Sequence, residues 1–151
     1  MRNMHKTSEL KIRRARISES ARLAVLCTEL GYPSTPSEMR IRLSRLKQAA
    51  DNAVFVAQAA EGEVIGWLHV SISNLLEAPL RAEVNGLVVG EGQRSKGAGA
   101  LLLEAAEDWA RKKKCVNMSV RSNVIRDRAH AFYERHGYEH YKTQKAFRKP
   151  L

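Results

Sequence analysis

Residues 90–99 read Gly-Glu-Gly-Gln-Arg-Ser-Lys-Gly-Ala-Gly, and no other stretch of the chain carries as much potential chemistry. They follow an apolar run, Leu87-Val88-Val89, and precede an amphipathic one, Ala100-Leu101-Leu102-Leu103-Glu104-Ala105-Ala106. A strand that feeds a glycine-rich turn opening a helix presents unpaired first-turn N–H groups at the positive end of the helix dipole. Glycines let an anion reach that backbone, so the segment is a cradle for phosphate. Two nucleotide signatures are excluded. Gly90-x-Gly92 is followed by Ser95 where the dinucleotide fingerprint needs glycine, and Gly92-x4-Gly97 is followed by Ala98 and Gly99 where a P-loop needs Lys and a hydroxyl. Metal chemistry has little to stand on. His136 and His140 are four apart, but Gly137 between them ends a helix, and no third ligand accompanies them. Cys27 and Cys115 lie far apart in no nucleophile motif, which fits packed thiols in a reducing cytoplasm.

The elements that must hold this loop can be read by period. Leu10 to Arg13 alternates as a short strand. Leu23, Leu26, Cys27 and Leu30 share one face of a helix that Gly31 and Pro33 stop. Thr35-Pro36-Ser37-Glu38 is a capping box with proline at the first helical position, opening a helix whose stripe is Met39, Leu43, Leu46 and Ala50. Residues 53–59 and 64–73 are strands joined by a turn at Glu61-Gly62-Glu63. Leu80 to Val89 is a further strand. After the loop comes a helix with Leu101, Leu102, Ala105, Ala106 and Trp109 inward and Lys112 to Lys114 at its C-terminal end. Residues 115–120 are a strand, Asp127 to His136 a helix, and Tyr138 to Phe147 a last strand. The order β-α-α-β-β-β-α-β-α-β gives an α/β fold with a mixed sheet flanked by helices, since hairpins forbid an all-parallel one.

Size and charge bound the rest. The chain has 151 residues, which predicts a single domain over 1–151 with a core at about 10–148. No stretch is long and apolar enough for a membrane span, and the basic start lacks the apolar region of a secretory signal. The net charge is +10, with basic ends on either side of an acidic stretch, residues 51–90, that holds five acidic residues and one basic. Such a surface suits an anionic ligand. A basic nucleic-acid-binding module is the alternative, but aromatics are only 6% of the chain and no nucleic-acid-binding motif is visible.

The pattern Arg94-Ser95-Lys96-Gly97-Ala98-Gly99 resembles the acyl-CoA pyrophosphate loop of the GNAT family of N-acetyltransferases. A second block, about 30 residues on, is similar to that family's closing motif: Ala129-His130-Ala131-Phe132-Tyr133-Glu134-Arg135-His136-Gly137-Tyr138, with Ser122, Asn123 and Arg126 ahead of it. This form looks like small-molecule members such as aminoalkylphosphonate and aminoglycoside N-acetyltransferases. Glu91 stands where the family often has proline, and Ser95 where it has a first glycine.

The resemblance implies an acetyl-CoA-dependent transfer to a primary amine, without a covalent intermediate, and a homodimer as a family expectation. It implies that Leu87, Val88 and Val89 pair with the pantetheine amides where their strand leaves its neighbour. The N–H of Leu87 or Val88 would face the thioester oxygen. Arg94, Ser95, Lys96, Gly97, Ala98, Gly99 and Ala100 would hold the pyrophosphate, and either Asn123 or Arg126 would touch the pantetheine arm. Tyr133 would donate a proton to the departing thiolate, its phenol being protonated at neutral pH. For the base, Glu83 is the leading expectation, alternating with Asn85 and Leu87 on one side of the strand; His69 is the other. No metal is expected, the acceptor is a small-molecule amine, and a CoA-sensing non-catalytic module is a further alternative, against which the intact Tyr133 argues.

Overall fold

The computed structural model describes residues 9–94 and 96–151. Ser95, one of the loop residues named above, lies outside them. The chain falls into two compact units, residues 1–120 and residues 121–151, each considered by itself.

The first unit is built on a five-stranded sheet in the order β1-β2-β3-β4-β5. The strands are β1 (Lys11–Arg14), β2 (Asn52–Gln58), β3 (Val64–Ser73), β4 (Arg81–Val89) and β5 (Asn117–Val120). The first four are antiparallel neighbours, and β5 is parallel to β4, so the sheet is mixed. Helices α1 (Ser20–Leu30), α2 (Pro36–Gln48) and α3 (Ala98–Lys112) cover it. On one face Leu23 and Leu26 of α1 and Leu43 of α2 pack with Val56 and Val88, with Trp67 beside them. On the other lies α3: the Cδ1 of Leu102 is 3.4 Å from where a Cβ on Gly66 would stand. Sheet residues alternate between the two helical layers, as a pleated strand requires.

Local chemistry explains the helix ends. Thr35 Oγ1 accepts from the Glu38 N–H (3.1 Å) and Glu38 Oε1 accepts from the Thr35 N–H (3.0 Å), closing the expected capping box. Gly31 ends α1 at φ 109°, a left-handed turn that glycine adopts without strain. The hairpin between β2 and β3 turns at Gly62 (φ 93°), with the Ala59 N–H donating to the Glu63 carbonyl at 2.7 Å.

Three expectations need correction. Residues 138–147 form no strand. Their apolar members, Tyr138, Tyr141, Ala146 and Phe147, do not alternate as a half-buried strand requires. The buried stripe of α3 is rotated from the expected one: Leu102, Leu103, Ala106, Trp109 and Ala110 are inside, while Leu101 is exposed. Ala50 lies beyond the end of α2 and is exposed.

The second unit holds α4 (Asp127–Arg135). Phe132 and Tyr133 meet edge to face at 5.3 Å, and Tyr138 meets Tyr133 at 5.8 Å. The Tyr138 N–H returns to the Tyr133 carbonyl at 3.0 Å, past Gly137 at φ 89°.

Arg13 and Glu19 tie β1 to the turn before α1 through a fork of two hydrogen bonds, 2.9 and 2.6 Å, with both side chains largely buried. The Arg13 guanidinium holds the Glu19 carboxyl below its ordinary range, and the Arg16 N–H assists. A depressed carboxyl stabilises the fold above its unfolded pKa and stops doing so as the pH falls through the folded value. Glu19→Gln is therefore expected to cost about 1–3 kcal/mol at pH 7, because it leaves a buried guanidinium without its charge partner. In paired urea melts this difference should shrink once the pH drops below the ordinary carboxylate range.

Candidate active site

Strand β4 carries the main irregularity of the sheet. Against β3 its register runs Gly66–Val89 to His69–Gly86, then jumps to Val70–Val84, so Asn85 is the extra residue of a β-bulge. The Nδ2 of Asn85 donates to Ser71 Oγ at 2.7 Å and fixes the bulge against β3. Strand β5 pairs with β4 only from Arg81 to Val84. From Asn85 to Val89, β4 has β3 on one side and, among the described residues, no strand on the other. A parallel pair that parts in this way leaves a notch in the sheet.

The direction of the free backbone groups follows from one hydrogen bond. The Gly90 N–H donates to the Ile65 carbonyl at 2.8 Å, so Gly90 points toward β3. Groups alternate sides along an antiparallel ladder, so Val88 also faces β3, while Leu87 and Val89 turn N–H and C=O into the notch. Of the two expected thioester donors, the alternation therefore favours Leu87 over Val88.

Across the notch's end lies the start of α3. Its N-cap is Gly97, at φ 79°, with no side-chain cap. The first intrahelical bond is Leu101 N–H to Gly97 C=O at 3.1 Å, which leaves the N–H groups of Ala98, Gly99 and Ala100 as the unpaired first turn. Among the described residues nothing lies within 4 Å of where a Gly97 Cβ would be. Arg94 and Lys96 are exposed on the loop. The loop's first turn is fastened to α1: the Glu91 N–H donates to Glu29 Oε2 at 3.3 Å, and Leu26 Cδ2 lies 3.2 Å from a Cβ built on Gly90. Arg22 Nε donates to the Val64 carbonyl at 2.7 Å and ties α1 to β3 beside it.

The bulge also reassigns faces. Glu83 was expected on one side with Asn85 and Leu87. The extra residue shifts the phase, so Glu83 shares the α1/α2 face with Gly86 and Val88, while Leu87 points with Leu68 to the α3 face. Glu83 is half-buried opposite Ser71 on β3 and Ser119 on β5. His69, half-buried on the same face, bonds through Nε2 to Asn52 Oδ1 at 2.8 Å. Burial pushes its pKa down and keeps the ring neutral.

In the second unit, Tyr133 sits half-buried on α4, and burial pushes its phenol up to about 12, against a smaller opposing pull from the Arg126 charge. It is protonated throughout the physiological range. Asn123 is committed locally: its Oδ1 accepts from the Ile125 N–H at 3.1 Å and its carbonyl from His130 Nε2 at 2.8 Å. Arg126 is the N-cap residue of α4. His136 Nδ1 bonds to the Phe132 carbonyl and His140 Nε2 to Thr143 Oγ1, each at 3.0 Å or less. Among the described residues no three His, Cys, Asp or Glu gather around one point.

Three features escaped the sequence reading: the Asn85 bulge, the Asn52–His69 pair and the contact of Trp67 with Gly86. A signal existed for the first and third, since glycine inside a strand marks a bulge or a close approach. A Cβ on Gly86 would stand 2.9 Å from Trp67 Cζ3, and the indole is a rigid neighbour. Gly86→Ala should cost about 1–3 kcal/mol of stability in thermal melts. Trp67→Leu in the same chain should recover part of that loss.

The profile of the Acetyltransferase (GNAT) family matches residues 21–138. An aminoglycoside N(6')-acetyltransferase type 1 of Stenotrophomonas maltophilia is 31% identical over 105 residues, covering 67% of this chain and 69% of its own. Its counterpart from Klebsiella aerogenes is 29% identical over 102 residues, 66% of this chain and 67% of that one. Among solved structures, aminoglycoside acetyltransferase AAC(6')-Iy in complex with the bisubstrate analogue CoA-S-monomethyl-acetylneamine superposes with a TM-score of 0.82 at 21% identity, over 95% of this chain and 100% of that one. The notched mixed sheet, the glycine loop opening α3 and the profile match agree: the chain belongs to the Acetyltransferase (GNAT) family and is an acyltransferase.

Proposed function

We propose that the protein transfers an acetyl group from acetyl-CoA to a primary amine of a small molecule, in one step within a ternary complex. The observation that carries this is the pairing of two unsatisfied backbone surfaces in one unit: the notch edge of β4 at Leu87 and Val89, and the first turn of α3 at Ala98, Gly99 and Ala100. A pantetheine arm carries amide groups that an open strand edge accepts as an added strand. A pyrophosphate carries the negative charge that a helix N-terminus favours. The two surfaces are joined by one eight-residue turn, Gly90 to Gly97, so a ligand with both parts fits where ATP, which has no amide arm, uses only one.

In this reading Leu87 N–H polarises the thioester oxygen and stabilises the oxyanion that develops there. Holding donor and acceptor together supplies about 7–11 kcal/mol of the barrier through orientation. Arg94, Lys96 and the loop backbone at Ser95 and Gly97 neutralise the phosphates, with Val88 and Val89 lining the arm. Tyr133 protonates the departing sulfur, an assignment that rests on the closing motif together with a phenol held protonated by burial. Of Asn123 and Arg126, Arg126 is proposed to meet CoA, since the Asn123 amide oxygen is used in its own turn. Glu83 and His69 are the proton acceptors on the α1/α2 face.

The acceptor class is read from the relatives: aminoglycosides are polyamines, and the two curated matches are named for acetylating them. The acidic stretch at 51–90 favours such cations. No helix among the described residues is long and apolar enough to cross a membrane, and Cys27 and Cys115 are unpaired, which supports a cytoplasmic enzyme. A homodimer is proposed from the family alone, and neither nucleic-acid binding nor a CoA-sensing role is favoured.

A thermal-shift titration tests the donor. Acetyl-CoA at 100 times its Kd should stabilise by about 2.7 kcal/mol, and ATP or NAD by clearly less. Gly97→Glu, which places a carboxylate in the cradle, should abolish the shift, while Gly97→Ala keeps most of it. Equal shifts with every polyphosphate would leave only a general anion site.

A further inference from the structure

The Asp51, Asn52 and His69 side chains form a chain of hydrogen bonds with one possible polarity. Asn52 Nδ2 donates to Asp51 Oδ1 at 2.9 Å. That fixes which end of the Asn52 amide faces His69, and it is the oxygen, 2.8 Å from Nε2. An amide oxygen only accepts, so Nε2 carries the proton and Nδ1 is left with its lone pair. The Asp51 carboxylate holds this chain in that one polarity. His69 stands opposite Gly86, the residue that links the bulge to Leu87. The imidazole thus lies one strand in from the notch.

We propose that His69 Nδ1, oriented by Asn52 and Asp51, is the general base that deprotonates the acceptor amine through one bound water. This rests on the acetyltransferase reading above and chooses between its two proton acceptors. An ammonium N–H bond breaks, the proton passes through the water to Nδ1, and the freed lone pair attacks the thioester carbon. As the C–S bond breaks, the electron pair goes to sulfur, which takes a proton from the Tyr133 phenol. The second N–H proton of the adduct passes to the tyrosinate and restores the phenol, and the imidazolium returns its proton to solvent. Asp51 acts on His69 through Asn52 on β2, and Glu83 lies two register rows along on the same face of β4. Leu23, Leu26, Leu30, Met39 and Leu43, which pack onto this face from α1 and α2, carry no charge. Glu83 is then left to attract the ammonium, and a neutral imidazole lies nearer the operating pH than a carboxylate, as efficient proton transfer requires.

His69→Gln preserves a donor toward Asn52 but cannot take up a proton. With neamine as acceptor, it should keep the acetyl-CoA thermal shift, lower kcat about 100-fold and remove the acid limb of the pH–rate profile that neutral imidazole gives the wild type. A variant with wild-type kcat and an unchanged acid limb would overturn the role of His69 and leave the acetyltransferase intact. Loss of any acetyl-CoA shift in the wild type would overturn both. A measurement on the unaltered chain guards against misfolding of the variant. A long-range proton–nitrogen spectrum at neutral pH should show His69 protonated on Nε2 alone; the Nδ1-protonated tautomer would refute the proposal.

Discussion

Strand β4 must be paired along its whole length on one side and along only half of it on the other. Its β3 side gives the sheet its continuity, from Arg81 through Val89. Its β5 side stops at Val84. The Asn85 bulge lies where the two requirements part, and a bulge adds the local twist by which a strand can leave a neighbour. An open edge is ordinarily a liability, because it invites pairing with another chain. Here the edge is short, five residues from Asn85 to Val89, and it leads directly into the glycine loop and the start of α3. The same length of backbone that threatens aggregation is what a pantetheine arm can complete.

The rest of the first unit keeps that edge in place. Trp67 reaches into the space a Gly86 side chain would fill and packs against the α1/α2 core next to the bulge. Helix α1 reaches both the loop and β3, through Glu29 to the Glu91 N–H and through Arg22 to the Val64 carbonyl. Helix α3 is anchored from the other face by Leu102, Leu103 and Ala106, all almost fully buried, so the unpaired amides at its start cannot drift from β4. Rigid support of this kind gives the preorganisation on which oxyanion stabilisation depends. The Asp51–Asn52–His69 chain applies the same logic to a side chain, fixing a tautomer rather than a position.

Much of this was legible in the sequence, and the reasons are local. The capping box at Thr35 and Glu38 formed as read because its partners lie three residues apart. The glycine loop was legible because a left-handed cap at Gly97 needs glycine whatever the tertiary context. The bulge was not, because an extra residue is defined only by the opposing strand; that is why Glu83 was placed on the face of Leu87. The α3 stripe was misplaced by one position because Leu101, Leu102 and Leu103 are equivalent in hydrophobicity, and only packing against Gly66 decides which two are inside. The expected strand at 138–147 failed because its apolar residues do not alternate. The Asn52–His69 contact spans 17 residues and two strands, and no short-range pattern announces it.

The central claim is that β4's open edge and α3's first turn are one acetyl-CoA site. Residue-resolved amide hydrogen exchange with and without acetyl-CoA tests it most directly. The account predicts new protection at the N–H groups of Leu87 and Val89 together with Ala98, Gly99 and Ala100, and none of the Leu87 and Val89 protection with ATP. Protection confined to the α3 amides, or absent from both surfaces while acetyl-CoA still binds, would contradict it.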